Sequence, residues 1–170
     1  GLKLRLTGDI ISRPYINLTL QLMHDFGAQA GWTSESSIAV APGGYRDTPF
    51  RVESDWSAAS YWYQMTVLSP DASEVELLGL HARSPQGDSR GAELFARLGV
   101  QTEFTSQGVK LRKEGQPAGR LDEDLVDIPD LAQTFVVTCC LMGVPFRFTG
   151  LQSLKIKETD RLCALITELR

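Results

Sequence analysis

Apolar and polar positions alternate in three short segments of the chain, Leu2–Leu6, Val75–Leu78 and Phe146–Thr149. Alternation with a period of two predicts β-strands that have one buried face and one face in solvent. Two longer segments, Ala58–Leu68 and Leu131–Met142, carry no charged residue. A helix without a charged face is typical of a buried helix. The pattern therefore predicts an α/β fold with buried helices and outer sheets.

A repeat with a period near 72 residues organises these elements. Phe26-Gly27-Ala28-Gln29 returns 72 positions later as Leu98-Gly99-Val100-Gln101, each time after an amphipathic stretch, Tyr15–Phe26 or Asp88–Leu98. Glycine at such a place is typical of a helix C-cap. The strands predicted after these helices are Ala28–Thr33, Ser37–Val40, Val100–Thr105 and Val109–Arg112. Each unit is predicted as strand-helix-strand-helix-strand-strand, and a third copy begins near Leu154.

A second pair of repeated segments, each an aspartate followed by a predicted helix, alternates along the chain with the first pair. Asp55 precedes the helix predicted at Trp56–Leu68, and Asp130 precedes the helix predicted at Leu131–Met142. Each aspartate is expected to follow a strand. Capping of free N–H groups is the ordinary explanation for an aspartate at a helix start. Capping is therefore the ordinary interpretation of both aspartates, and it is compatible with a further role.

The change from one unit to the next is predicted near residue 50. Gly43-Gly44 and the following Arg46–Glu53 separate the flanking patterns, so the predicted domains are 1–50 and 51–170. The chain starts at Gly1 without an initiator methionine and stops at Arg170 inside a helical pattern. The sequence is therefore expected to be an internal fragment of a longer protein.

Composition narrows the class of protein. The net charge is −4 and no run of Lys or Arg is present, which argues against a nucleic-acid partner. No apolar stretch reaches the roughly 18 residues of a membrane span, and no signal-peptide pattern precedes the first strand. Three cysteines form a poor disulfide framework. A cytoplasmic protein without a membrane partner is expected. No metal-ligand spacing and no glycine-rich nucleotide loop is present, so we expect no metal and no cofactor.

Two charged or polar motifs are candidates for chemistry. In Lys157-Glu158-Thr159-Asp160-Arg161 the two cations are four residues apart, so on a helix they would share one face, with Glu158 beside Arg161. In Ser12-Arg13-Pro14-Tyr15 the proline suits the first helical position, where free N–H groups bind anions. The ordinary interpretations are a solvated, mutually paired surface and a plain helix start.

These motifs, taken in order, resemble those of the EPSP synthase family over essentially the whole chain. The segments that carry the resemblance are Gly8–Tyr15, Val52–Tyr61, Ile128–Asp130 and Ser153–Arg161. The resemblance implies two lobes of three repeats each, an inside-out barrel with the helices inside. By it, residues 1–50 end the first lobe and 51–170 form most of two repeats of the second. It also implies a monomeric full-length protein.

The reaction implied by the resemblance joins two anionic substrates. The enolpyruvyl group of phosphoenolpyruvate passes to the 5-hydroxyl of shikimate-3-phosphate, giving EPSP and phosphate on the way to chorismate and the aromatic amino acids. Asp130 would take the proton from the attacking hydroxyl, Glu158 would serve as acid and base at the methylene carbon, and Lys157 would assist proton transfer. These three are the expected catalytic residues.

The resemblance also implies the substrate contacts. Shikimate-3-phosphate would be bound by five residues, among them a serine where some members have asparagine: Ser12, Tyr15, Asp130, Ser153 and Lys157. Phosphoenolpyruvate would be bound by Glu158 and Arg161. Arg13 occupies a position that is usually basic, without an assigned contact, and Asp55 and Asp160 are expected to be structural. Further basic residues of the family's site fall outside 1–170, so this chain alone is expected to be inactive.

Two alternatives remain. One is the related transferase that uses UDP-N-acetylglucosamine as acceptor, against which the motifs at Ser12–Tyr15 and Lys157–Arg161 argue. The other is a non-catalytic or RNA-processing protein built on similar repeats. That protein would have basic surfaces or would lack the acid and base residues, whereas this chain is acidic and keeps Asp130, Glu158 and Arg161.

Overall fold

A computed structural model describes residues 1–71 and 74–170 of the chain. The chain divides into two compact units, Gly1–Val52 and Glu53–Arg170. Helices and short sheets make up both units, so the fold is mixed α/β, as the hydrophobic pattern predicted.

The first unit is a three-stranded antiparallel sheet with one helix. Its strands have the order β1-β3-β2, with Leu4 opposite Ile38 and Trp32 opposite Ile38 on the other side. Ile38 of the central strand is the buried residue of this unit's core. The elements are β1 (Leu2–Arg5), α1 (Arg13–Asp25), β2 (Ala30–Ser34) and β3 (Ser37–Val40).

In its described residues, 53–71 and 74–170, the second unit contains four α-helices and two sheets. Strands β4, β6 and β5 form an antiparallel sheet in that order, and β7 pairs with β8 in parallel. None of the helices in the described residues is both long and apolar enough to cross a membrane. The elements are α2 (Trp56–Leu68), β4 (Glu74–Leu78), α3 (Gly91–Arg97), β5 (Val100–Phe104), β6 (Gly108–Lys113), β7 (Leu121–Asp124), α4 (Ala132–Met142), β8 (Phe146–Thr149) and α5 (Arg161–Glu168).

Glycines with positive φ follow corresponding strands. Gly8 after β1, Gly79 after β4 and Gly150 after β8 have φ of 79°, 78° and 75°. Gly27 after α1 and Gly99 after α3 have φ of 89° and 99°, which confirms the predicted cap glycines. Only glycine takes this left-handed conformation without a steric penalty, so the glycine positions record where the chain must turn.

Asp55 is the helix cap that the sequence predicts. Its side chain accepts hydrogen bonds from the backbone N–H groups of Ser57 (2.7 Å) and Ala58 (3.2 Å), and α2 has the predicted bounds. The strand expected just before it is not formed, because residues 52–54 are in coil. Asp130 does not directly follow a strand either, because β7 ends at Asp124 and residues 125–128 form coil and a turn.

Hydrogen bonds to the carboxylates of Glu53 and Asp88 hold the start of α2. Glu53 accepts hydrogen bonds from the indole of Trp56 at 3.0 Å, from the backbone of His81 at 2.9 Å and from the amide of Gln86 at 3.1 Å. The buried carboxylate of Asp88 accepts a hydrogen bond from the hydroxyl of Ser57. These bonds tie α2 to the segment that leads into α3.

Three aromatic rings form the centre of the second unit. Tyr63 of α2 stacks on Phe95 of α3 with ring centroids 5.1 Å apart, and Phe95 lies 4.7 Å from Phe135 of α4. All three side chains are buried. The hydroxyl of Tyr63 shares a hydrogen bond of 2.8 Å with Thr102, and burial raises the pKa of Tyr63 to about 12. The neutral phenol is therefore a fixed part of the core.

The uncharged helices are not buried on every side, and that prediction is wrong. Tyr61, Trp62 and Met65 of α2 are each about half exposed, at 48%, 49% and 51%, and Leu141 of α4 is 66% exposed. Within the described residues, α2 packs against α3, α4 and β6, and α4 packs against α2, α5 and β8. The alternation predicted for the strands is confirmed in β4 and β8 but is wrong for β1, whose four residues are all exposed.

The two faces of α4 allow a test of this packing. We expect Phe135→Ala to lower the free energy of unfolding by about 3–5 kcal/mol, because it removes a buried ring from the aromatic centre. Leu141→Ala, in the same helix, is expected to change it by less than about 0.5 kcal/mol. Urea unfolding of the 170-residue chain followed by circular dichroism measures both. Equal losses would mean that the exposed face of α4 is covered in solution.

Candidate functional site

The carboxylate of Asp130 is shared by two cations. Its Oδ1 lies 3.0 Å from Nζ of Lys157 and 2.9 Å from Nη1 of Arg161. Asp130 lies in a 3-10 turn, Pro129–Leu131, directly before α4, and its side chain caps no helix N–H group. The capping interpretation is therefore wrong for Asp130. Its side chain reaches a distant segment of sequence instead, and it is 24% exposed.

The segment from Lys157 to Asp160 is not helical, contrary to the expectation that Lys157 and Arg161 share a helix face. Helix α5 begins at Arg161, because Asp160 is its N-cap and accepts a hydrogen bond of 3.0 Å from the backbone N–H of Cys163. The structural role expected for Asp160 is confirmed. Although they are not on one helix, both cations converge on Asp130, since α5 starts where the preceding 3-10 turn (Gln152–Ile156) packs near Pro129–Leu131.

Arg161 makes a two-pronged ion pair with Glu158. Its Nε and Nη2 donate to the two carboxylate oxygens at 2.9 and 3.0 Å, the fork geometry that guanidinium and carboxylate groups favour. These hydrogen bonds lower the pKa of the Glu158 carboxyl group below its ordinary value, and they raise the pKa of Arg161. Glu158 is 66% exposed, whereas Arg161 is 23% exposed. The guanidinium is thus the better-fixed member of the pair.

Together, Asp130, Lys157, Glu158 and Arg161 form a cluster of two carboxylates and two cations. The ion pair of Arg161 with Glu158 has an exposed carboxylate, and pairs of this kind are individually weak. An incoming phosphate or carboxylate can therefore replace Glu158 as the partner of Arg161 at little cost. The cluster can bind an anion and, in the same step, release carboxylate oxygens for proton transfer.

Two polar side chains near this cluster have a buried oxygen that finds no hydrogen-bond partner among the described residues. One is the hydroxyl of Ser153, in the 3-10 turn before Lys157. The other is Oε1 of Gln133, in the first turn of α4 and three residues after Asp130. A buried polar atom without a partner is unusual and marks a place where a ligand or water would bind. Gln133 was missed by sequence reasoning, although its polarity within an apolar helix is a usable signal.

In the first unit, Ser12 and Tyr15 lie at the start of α1. Ser12 is the N-cap residue, but its side chain makes no cap hydrogen bond, and its φ of 55° and ψ of 41° are left-handed. Within the described residues it is the only residue other than glycine with positive φ. A non-glycine residue in this region costs about 1–3 kcal/mol, which contacts of the surrounding structure must offset. The backbone N–H of Tyr15 donates to the carbonyl of Ser12 at 3.0 Å.

Arg13 fastens this strained start of α1 to the hairpin beside it. Its guanidinium carbon lies 4.2 Å from the centre of the Trp32 ring, and Nη2 donates to the carbonyl of Glu35 at 2.6 Å. The indole of Trp32 donates in turn to Asn17 at 2.8 Å. A cation–π contact contributes about 0.5–1 kcal/mol at an exposed site. The free energy that the contacts of Arg13 contribute is thus comparable with the cost of the strained conformation at Ser12.

Neither a metal-binding cluster nor a large groove offers a competing site in the described residues. In the described ranges, 1–71 and 74–170, no three His, Cys, Asp or Glu side chains are grouped so that they could hold a metal ion. An open groove of about 810 Å³ lies on the sheet of the first unit, between residues such as Leu2, Trp32 and Val40. None of the sequence-predicted site residues lines it.

Comparison with known proteins gives one consistent result. Residues 1–170 match the family described as EPSP synthase (3-phosphoshikimate 1-carboxyvinyltransferase). The chain is 71% identical over 170 residues to a 3-phosphoshikimate 1-carboxyvinyltransferase of Bacteroides fragilis (strain YCH46), covering 100% of the chain and 41% of that protein. A protein of the same name from Idiomarina loihiensis is 37% identical over 169 residues, 98% of this chain and 39% of its own length.

A third relative, from Yersinia pestis bv. Antiqua (strain Angola), has the same name and is 31% identical, again over 98% of this chain and 39% of the relative. The chain thus spans about two fifths of the length of these curated relatives. Since the family match covers every residue of the chain, the chain belongs to the EPSP synthase (3-phosphoshikimate 1-carboxyvinyltransferase) family.

Proposed function

We propose that the whole protein containing this chain transfers the enolpyruvyl group of phosphoenolpyruvate to the 5-hydroxyl of shikimate-3-phosphate. The observation that carries the proposal is the convergence of Lys157 and Arg161 on Asp130, with Glu158 held on the outer side of Arg161. Membership of the family supports the same reaction. The products are EPSP and inorganic phosphate, as in the biosynthesis of chorismate and the aromatic amino acids.

Asp130 is the proposed base. In the first step the substrate hydroxyl forms a bond to C2 of phosphoenolpyruvate and gives up its proton, and the vinyl methylene gains a proton to become a methyl group. Asp130 is fixed by two cations and is only 24% exposed, so its carboxylate is positioned before substrate arrives. Anions that draw Lys157 and Arg161 away would free the oxygens of Asp130 to accept that proton.

Glu158 is proposed to move protons at the methylene carbon. It protonates the methylene in the first step, and it takes a proton back from the methyl group when phosphate leaves and the double bond re-forms. The ion pair with Arg161 favours the charged form of Glu158 before substrate binds. When phosphoenolpyruvate engages Arg161 as an anion, this pair is broken and the bias toward the charged form is removed. Substrate binding would thus prepare the acid.

Shikimate-3-phosphate is proposed to bind to Lys157 and to a set of uncharged polar side chains. The unpaired hydroxyl of Ser153 can hydrogen-bond a ring hydroxyl, and Oε1 of Gln133 offers an acceptor that family resemblance did not suggest. Lys157 would contact the same substrate and assist proton transfer. Ser12 supplies a hydroxyl that is not used as a cap, and Tyr15 follows it in the first turn of α1. Both are proposed to bind the phosphate-bearing substrate.

The finer features of the fold are part of the proposal. The sheets β1-β3-β2 and β4-β6-β5 have the same order, and the left-handed glycines after β1, β4 and β8 recur every 71 residues, at 8, 79 and 150. These features support a repeated unit in an inside-out barrel of two lobes. Residues 1–50 would then end one lobe, and 51–170 would form most of two repeats of the other. A monomeric cytoplasmic protein acting on small molecules, without nucleic-acid or membrane partners, stays a prediction.

A chimera tests the function. In it, this chain replaces the matching residues of the Bacteroides fragilis relative, and phosphate release is measured with phosphoenolpyruvate and shikimate-3-phosphate. Turnover that needs both substrates is expected, whereas UDP-N-acetylglucosamine as acceptor should give none. The isolated 170-residue chain is expected to show no turnover. A folded chimera that uses UDP-N-acetylglucosamine, or neither acceptor, would contradict the proposal.

Asp130→Asn in the chimera should lower kcat by about 10²–10⁴-fold, because the amide cannot accept the hydroxyl proton. The matched control is Asp55→Asn, the same change at the related position in α2. It is expected to change kcat by less than about twofold, since Asn caps a helix about as well as Asp. Steady-state kinetics measures both. A small effect of Asp130→Asn would remove Asp130 from the role of base.

Glu158→Gln should lower kcat and at the same time lower KM for phosphoenolpyruvate by about two- to fivefold, the size of an exposed ion pair. The reason is that Arg161 loses a competing partner. With chemistry slowed, KM approaches the dissociation constant. Glu93→Gln, which removes the same charge from the exposed face of α3, should leave both values unchanged. A raised KM in Glu158→Gln would mean that Glu158 does not compete for Arg161.

A further inference from the structure

We propose that Arg13 is a positioning residue for shikimate-3-phosphate: it holds Ser12 in the left-handed conformation that presents the Ser12 hydroxyl to the substrate. The inference rests on the proposed function of Ser12. It gives a role to Arg13, which lies in the motif that resembles the family's substrate motif but has no contact assigned by that resemblance.

The guanidinium of Arg13 is occupied by atoms of its own unit. One face stacks on the ring of Trp32 at 4.2 Å, and Nη2 donates to the carbonyl of Glu35 at 2.6 Å. Trp32 is itself fixed by the hydrogen bond of its indole to Asn17 in α1, at 2.8 Å. The start of α1 is therefore attached to β2 and to the turn before β3. This stacked geometry favours arginine, because a lysine ammonium offers no planar face to lie on the indole ring.

Ser12 is the residue that this attachment constrains. Its φ of 55° is disfavoured for any residue with a Cβ atom, and its side chain does not cap the helix that it precedes. Pro14, which lacks an N–H group, fixes the chain on the other side of Arg13. Because Ser12 is covalently joined to Arg13, loosening the arginine would let the serine relax toward the extended region and turn its hydroxyl away. Strain held in this way is characteristic of binding sites.

A direct contact between Arg13 and the substrate phosphate is the competing explanation, and the two make different predictions. A direct contact would act independently of Ser12, and Lys would largely replace Arg. A positioning role predicts that Arg13→Lys behaves nearly like Arg13→Ala. It also predicts that removing Arg13 has little further effect once the Ser12 hydroxyl is absent.

The test is a double-mutant cycle in the chimera with Ser12→Ala, Arg13→Ala and the double variant. KM for shikimate-3-phosphate and for phosphoenolpyruvate, and kcat, are measured for each. Each single variant is expected to raise KM for shikimate-3-phosphate about tenfold, the loss of one charge-assisted hydrogen bond. The double variant should be no worse than either, with KM for phosphoenolpyruvate little changed. Arg5→Ala, which removes the same charge from β1, should leave all three values unchanged.

Additive effects of Ser12→Ala and Arg13→Ala would overturn the inference while leaving the proposed function of Ser12 intact. An unchanged KM in Ser12→Ala would overturn both, which separates the two failures. Trp32→Leu provides a second route if Arg13→Ala does not fold. It removes the stacking surface but keeps the arginine charge, and it should raise KM for shikimate-3-phosphate only when Ser12 is present. An unchanged KM in a folded Trp32→Leu variant would also overturn the inference.

Discussion

The carboxylate of Asp130 joins two segments that are separated by more than twenty residues, the start of α4 and the loop before α5. Lys157 and Arg161 both lie within 3.0 Å of one of its oxygens, and Glu158 closes the cluster from the other side of the guanidinium. The geometry of the candidate site follows from this shared carboxylate. Without it, the two neighbouring cations would repel each other with only Glu158 to offset their charge.

The packing beneath the cluster holds these segments in place. The stacked rings of Tyr63, Phe95 and Phe135 connect α2, α3 and α4 at their centre, and the bonds of Glu53 and Asp88 fix the start of α2. Close-packed aromatic cores resist small displacements. The short polar turns that carry the charged residues are thus attached to rigid helices, which is the arrangement that precise binding of small anions requires.

Prediction from sequence succeeded where the determinant was local. The bounds of α2, the strand Ser37–Val40 and the cap at Asp55 follow from apolar pattern and capping chemistry, and all are present. It failed where contacts with residues distant in sequence determine the conformation of a side chain or its exposure. Asp130 is the repeat counterpart of Asp55 but caps no helix N–H group, and its carboxylate pairs with Lys157 and Arg161 instead. The exposure of Trp62 and Leu141 likewise depends on which elements pack nearby, which a helical pattern does not encode.

The sequence by itself determined the mixed α/β class, the repeated glycines, the candidate residues and, through the order of its motifs, the family. These depend on local propensity and residue type, which are properties of short segments. The tertiary structure alone decided that ion pairs join Asp130, Lys157, Glu158 and Arg161 in one cluster. It also decided that Ser153 and Gln133 each have an oxygen unpaired among the described residues, and that Arg13 stacks on Trp32. Such contacts join residues far apart in the chain, and their energies exist only once the fold has brought the side chains together.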